Sequence, residues 1–212
     1  AQPGSYAVTL RATNTAGAVS FTTNILIAAE SLAFVSPTGT HTPPFESWLT
    51  AATNVQAAVG AAWPGGTVWI DDGVILEPAE VIVDKALTVR GRHGRDLTRI
   101  DGGGAHRVFR LAHAQAVLRV LTIANGLSDR GGGVRVDRAG QIVDCAITDN
   151  RGIEGAGLYL DGGGLLSGSQ VRDNVALTNA GGVFLRYAGQ LVDSEIEGNR
   201  AGDTGGGVCL QD

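Results

Sequence analysis

Apolar residues alternate with polar ones over most of this chain, and the register of that alternation changes three times. Between residues 1 and 29, Tyr6, Val8 and Leu10 share one face, and a second alternating run follows a turn at Asn14 to Gly17. This predicts a β-hairpin with one face buried. Residues 30–46 hold Pro37, Pro43 and Pro44 among several Ser and Thr, which reads as a linker with a short strand at Phe34 and Val35. The period then becomes helical. Val55, Ala58, Val59 and Ala62 fall on one face, and Thr53 with Gln56 forms a capping box, so a single helix is expected near 53–63, stopped by Pro64. Beyond it come only short alternating strands, "TVWI", "EVIV", "LTV" and "RVFRL", separated by turns rich in Gly and Asp.

The last part of the chain repeats. Val134, Leu158, Val183 and Val208 stand in equivalent places at spacings of 24, 25 and 25. Leu118, Ile142, Leu166 and Leu191 keep the same step, as do Ile123, Ile147, Val171 and Ile196. A further column runs Gly126, Asn150, Asn174, Asn199, and the extra residue of the longer units always enters just after the asparagine. A unit this short cannot bury its own apolar face, so copies must stack into one continuous core. The fold class is therefore all-β, a parallel β-helix with one coil per 24–25 residues and a rise of about 4.8 Å per coil. Asn150, Asn174 and Asn199 are expected to form an internal amide ladder. Leucine-rich repeats share the period but need a Leu-x-x-Leu-x-Leu signature that is missing here.

Particular stretches carry resemblances. "AATNVQAAVGAAWPGGTVWIDDGVI" with "ALTVRGRHGRDLTRIDGGGAHRVFRL" resembles the N-terminal cap and first coils of pectin-lyase-like right-handed parallel β-helix proteins. "DNRGIEGAGLYL" and "GNRAGDTGGGVCL" resemble the Gly/Asn repeats of polymorphic outer-membrane proteins. "PGSYAVTLRATNTAGAVSFTTNILI" resembles the final strands of a polycystic-kidney-disease (PKD) or immunoglobulin-like module. These resemblances imply three parts: residues 1–29 as the end of such a module, 30–46 as linker, and 47–212 as a β-helix whose pattern continues past residue 212. They also imply a bacterial secreted or cell-surface protein, with polysaccharide or cell-surface glycan as partner.

Composition narrows the function classes. The 32 glycines are about twice ordinary usage but follow no Gly-X-Y period. A net charge of −5 argues against nucleic acid, and no apolar run is long enough for a membrane span. The N-terminus has neither the charged nor the apolar region of a signal peptide. Two cysteines make no disulfide framework. The register puts Cys145 inside and Cys209 outside, two to three coils apart, so they are not expected to pair.

Candidate chemistry lies on outward positions. Arg135, Tyr159 and Phe184 form one outward column, and Asp137, Asp161 and Arg186 the next. Two stacked carboxylates beside an arginine could hold Ca²⁺ against an acidic sugar, with Arg186 as base; otherwise no cofactor is expected. The plain alternative is a solvated face with a salt bridge. Tyr159 and Phe184, with Arg135, could receive a sugar ring, or could simply shield the sheet. Asp144 and Asp193 share a column two coils apart, roughly 10 Å, near the separation used by inverting glycosidases. His41, His93, His106 and His113 are not spaced as ligands of one metal. Two functions are open at this level: a non-catalytic stalk, adhesin or glycan-binding surface, or a polysaccharide lyase or glycoside hydrolase. The last coil should leave an open end for end-to-end stacking with further coils or another chain.

Overall fold

The computed structural model describes residues 4–27 and 31–211, and the chain divides into two compact units between residues 30 and 31. In the first, β1 (Gly4–Asn14) pairs antiparallel with β2 (Gly17–Ile27), closing from Gly4↔Ile27 to Asn14↔Gly17. The turn falls where the sequence put it. On the face read as buried, however, Val19 and Phe21 are 74% and 63% exposed.

The second unit is a parallel β-solenoid of about six turns, nearly all β with one short helix. One turn runs through four short strands, for example Gln141–Val143, Ala146–Thr148, Arg151–Glu154 and Leu158–Asp161. Stacking turns gives a first sheet of seven strands, a second of six, a third of four and a fourth of six. The columns read from the sequence are the observed register. Val134, Leu158, Val183 and Val208 pair successively, as do Leu118, Ile142, Leu166 and Leu191, and Ile123, Ile147, Val171 and Ile196. Their side chains form one continuous core.

Two features of the register were not foreseen. Leu32–Val35 (β3), within the stretch read as linker, pairs parallel with Thr67–Ile70 and begins the first sheet. Ala33 and Val35 are buried, so this strand's alternation outweighs the prolines that follow it. The corner after the asparagines, where the extra residue enters, is itself a strand. The extra residue is absorbed there as a bulge: Gly152 pairs with Ala176, but Glu154 pairs with Asn179.

The asparagine ladder forms in the core. Asn150 Nδ2 donates to Asn174 Oδ1 at 2.9 Å, and Asn174 Nδ2 to Asn199 Oδ1 at 2.9 Å. The same oxygens accept the backbone N–H of Asn150 and Asn174, while Asn150 Oδ1 accepts that of Gly126. The amides also donate to the carbonyls of Ile123, Ile147 and Val171. This explains one glycine column: a β-carbon on Gly157 would stand 2.9 Å from the Asn174 amide nitrogen and 2.7 Å from the Gly182 carbonyl. Corners on either side of the second sheet are made by residues with positive φ. Val120, Asp144, Gly168 and Asp193 make one, and Asn125, Asp149, Asp173 and Gly198 the other. Asp, Asn and Gly tolerate this conformation; the β-branched Val120 does so at a cost of about 1–3 kcal/mol.

Helix α1 (Val55–Ala61) buries Val55, Ala58 and Val59 against the first turns. Its cap is Asn54, whose Oδ1 accepts from Ala57 N, and not Thr53, which bonds His41 instead. Gln56, expected to close the box, accepts the N–H of Ile82 on an edge strand of the fourth sheet. Lys85 donates to the carbonyls of Gly60 and Ala62 at the other end. Glu77 is buried under the first turn, with Oε1 accepting from Val55 N at 2.7 Å and Oε2 without a partner. Desolvation pushes its pKa up to about 7, against the pull of the Val55 and Gln56 N–H groups and of His106.

Two predictions follow from this packing. Asn174→Ala should lower unfolding free energy by about 3 kcal/mol in chemical denaturation, because it strands buried partners on both sides. Asn199→Ala, in the less buried last rung, should cost clearly less. Because the Glu77 pKa is raised above 4.5, its contribution to stability is complete below that value and disappears as pH rises through about 7. Glu77→Gln should therefore match the wild type under acid conditions and exceed it above neutrality, by on the order of 3 kcal/mol at most. Parallel melting-temperature profiles between about pH 5 and about pH 8 would show that Glu77 carries no such linkage.

Candidate functional site

The outward columns of the fourth sheet lie side by side as the register requires. Arg110 pairs with Arg135, Arg135 with Tyr159, and Tyr159 with Phe184, while Asp161 stands beside Arg186. Charge then runs zigzag between the columns. Asp137 accepts from Arg110 Nε and Arg135 Nε, both at 2.6 Å. Asp161 accepts from Arg135 Nη2 at 3.0 Å and stands 3.8 Å from Arg186 Nη1. Both oxygens of each carboxylate are thus turned to guanidinium groups, and a calcium ion would find no free pair. The residues present do not fit that ion. Among the described residues, no group of three or more His, Cys, Asp or Glu side chains is placed to hold a metal.

Arg186 stands beside Asp161, and Tyr187, then Tyr159 and Asp161, raise its pKa.

Tyr159 and Phe184 do stack, with ring centres 4.9 Å apart and planes 8° from parallel. They point away from the main core, as expected, but they are not open. Tyr159 is 1% and Phe184 2% exposed, in a second small cluster with Ala180 and Cys209. A β-carbon on Gly155 would stand 2.8 Å from that of Phe184, so the corner runs close to the base of that side chain. Arg130 and Arg135 flank Tyr159, their guanidinium carbons 5.5 and 5.8 Å from its ring centre. The expected sugar platform of Tyr159, Phe184 and Arg135 therefore has no face to offer, because alternation tells inside from outside but not covered from bare.

Asp144 and Asp193 occupy equivalent corners with Gly168 between them, each with positive φ. Asp144 lies 3.4 Å from Arg119, and a β-carbon on Gly168 would touch its Oδ1 at 2.6 Å. Their backbone role accounts for their residue type. Cys145 and Cys209 are both free. Burial pushes the Cys145 thiol up to about 12, and its N–H donates to Ser169 Oγ in the next coil. Near the first turns, Arg92 pairs with Asp71, and His93 Nδ1 lies 2.9 Å from Asp72. Arg90 and Arg92 lie over the rings of Trp69 and Trp48 at 4.1 and 4.6 Å.

One hollow of about 500 Å³ is lined by Arg135 with Arg107, Arg130 and Glu154, and two more lie along the third sheet. A hollow of about 620 Å³ is lined by Gly103, Asn125, Asp149, Asp173 and neighbouring residues. A second of about 530 Å³ shares Leu127, Arg151 and Val175 with it and adds Asp129, Ile153 and Leu177. Of the site residues proposed from the sequence, the ladder's Asn150 lines the first of these two, and none of the catalytic or ligand-binding candidates lines either. The signal was present in the apolar residues of the variable corner, which looked like loop. Comparisons with protein-family models, curated proteins and solved structures found no match to this chain.

The buried stack yields a direct test. Tyr159→Ala should cost about 3–5 kcal/mol of stability in denaturant unfolding, the loss expected for a core aromatic. A soluble variant of unchanged stability would show that the ring is a bare surface after all.

Proposed function

We propose that the chain is a non-catalytic β-solenoid domain of a secreted or cell-surface multidomain protein, serving as a rigid stalk or adhesin-type binding surface. One observation carries this reading. The carboxylates best placed for chemistry, Asp137 and Asp161, are held between Arg110, Arg135 and Arg186, so the face that would need a free acid, base or metal ligand is an interlocked ion-pair ladder. Partly shielded pairs tied into one network stiffen a surface more than isolated exposed pairs do. The capping helix ahead of stacked Gly/Asn units supports kinship with pectin-lyase-like right-handed β-helices and polymorphic-outer-membrane-protein repeats. The hairpin is read as the end of a PKD or immunoglobulin-like module. Extracellular proteins commonly combine such parts, which supports the location proposed here.

The test is a turnover screen of neutral and anionic polysaccharides, with and without added calcium, following unsaturated uronide products and new reducing ends. No product above the buffer control is expected. Product formation abolished by Asp161→Asn or Arg186→Ala would replace this reading with a lyase, and product formation abolished by Asp144→Asn or Asp193→Asn with a hydrolase.

A further inference from the structure

We infer that the outward face of the third sheet is a docking surface for an extended polypeptide segment in which basic and apolar side chains alternate. The face is built by Leu127–Arg130, Arg151–Glu154, Val175–Asn179 and Arg200–Ala201. Leu127, Ile153, Val175 and Leu177 stand on it at 44%, 40%, 43% and 72% exposure, in three adjoining coils. Their counterparts inside the sheet, Gly152 and Ala176, are small and buried, so these larger side chains are not there to fill the core. The two hollows of this sheet described above meet along this strip. A run of exposed aliphatic groups of this kind gains free energy only when something covers it.

Charge and shape select the occupant. Asp149 and Asp173 border the strip on one side and Asp129 lies at its other end, against the guanidinium groups of Arg151 and Arg200, while Arg130 pairs with Glu154. One negative charge is therefore left over, which favours a basic partner. No aromatic ring lines either hollow. Pyranose rings are gripped mainly by flat aromatic faces, and branched Leu, Ile and Val side chains offer none. An extended peptide presents alternate side chains to opposite sides, so apolar groups can enter the strip while lysines or arginines reach the bordering carboxylates.

The test is fluorescence anisotropy of the full chain with a short labelled peptide alternating lysine and valine. Peptides alternating glutamate with valine and lysine with serine, and neutral oligosaccharides as unlabelled competitors, form the other arms. The lysine–valine peptide should bind, and added salt should weaken it. The double variant Ile153→Ser with Leu177→Ser should weaken binding at least about tenfold. Asp149→Asn with Asp173→Asn should act in the same direction, since asparagine keeps the positive φ of both corners. Leu49→Ser, at another exposed leucine, should change nothing, and unchanged melting of all variants confirms the fold. Absence of lysine–valine binding overturns the proposal, as does equal binding of the glutamate peptide. Binding indifferent to Ile153 and Leu177, or displacement by an oligosaccharide in a Leu177-dependent way, overturns it too.

Discussion

Each coil of this solenoid satisfies its backbone hydrogen bonds with the coil above and the coil below, at a spacing of about 4.8 Å. That one requirement places every residue against its own equivalent. Apolar positions become continuous columns, and asparagines become a ladder in which one amide serves the next. Charged positions are put under the same compulsion, and there it is unfavourable: Arg110 sits beside Arg135 in register. The repulsion is relieved sideways, by carboxylates in the adjoining column, rather than along the column itself. Surface chemistry on this fold is thus a by-product of stacking before it is anything else.

The end of the stack needs separate treatment. An edge strand shows unpaired N–H groups to its surroundings. Here Gln56 takes the N–H of Ile82, Lys85 takes carbonyls at the end of α1, and Glu77 takes the N–H of Val55. The last of these places a carboxyl where water barely reaches. A small helix thus closes the edge with side-chain bonds rather than with strand pairing.

The repeat columns were readable because an inward position tolerates few residue types and its spacing is set by coil length. The asparagine ladder was readable for the same reason. What escaped reading depended on neighbours outside the column. Nothing in "GLYLD" says that Ala180 and Arg130 pack against the Tyr159–Phe184 stack. Asp144 and Asp193 looked like paired carboxylates, whereas their shared property is a left-handed backbone. The spacing to Gln56 points to Thr53 as the cap, but its hydroxyl bonds His41, distant in sequence, and Asn54 caps the helix instead. The third sheet was missed because its strands carry the length variation that ordinarily marks a loop.

That variation has a consequence of its own. With the bulge between Gly152 and Glu154, a unit can gain a residue while the asparagine before it and the glycines after it stay in step. Inserting a residue inside one of the inward-facing strands would turn the following inward side chains outward and empty the core. In the third sheet the same event only re-aims a few exposed side chains. In these units the change in chain length falls on the face that bears Ile153 and Leu177. The molecule can alter what it meets there, one coil at a time, while the columns beneath stay as they are.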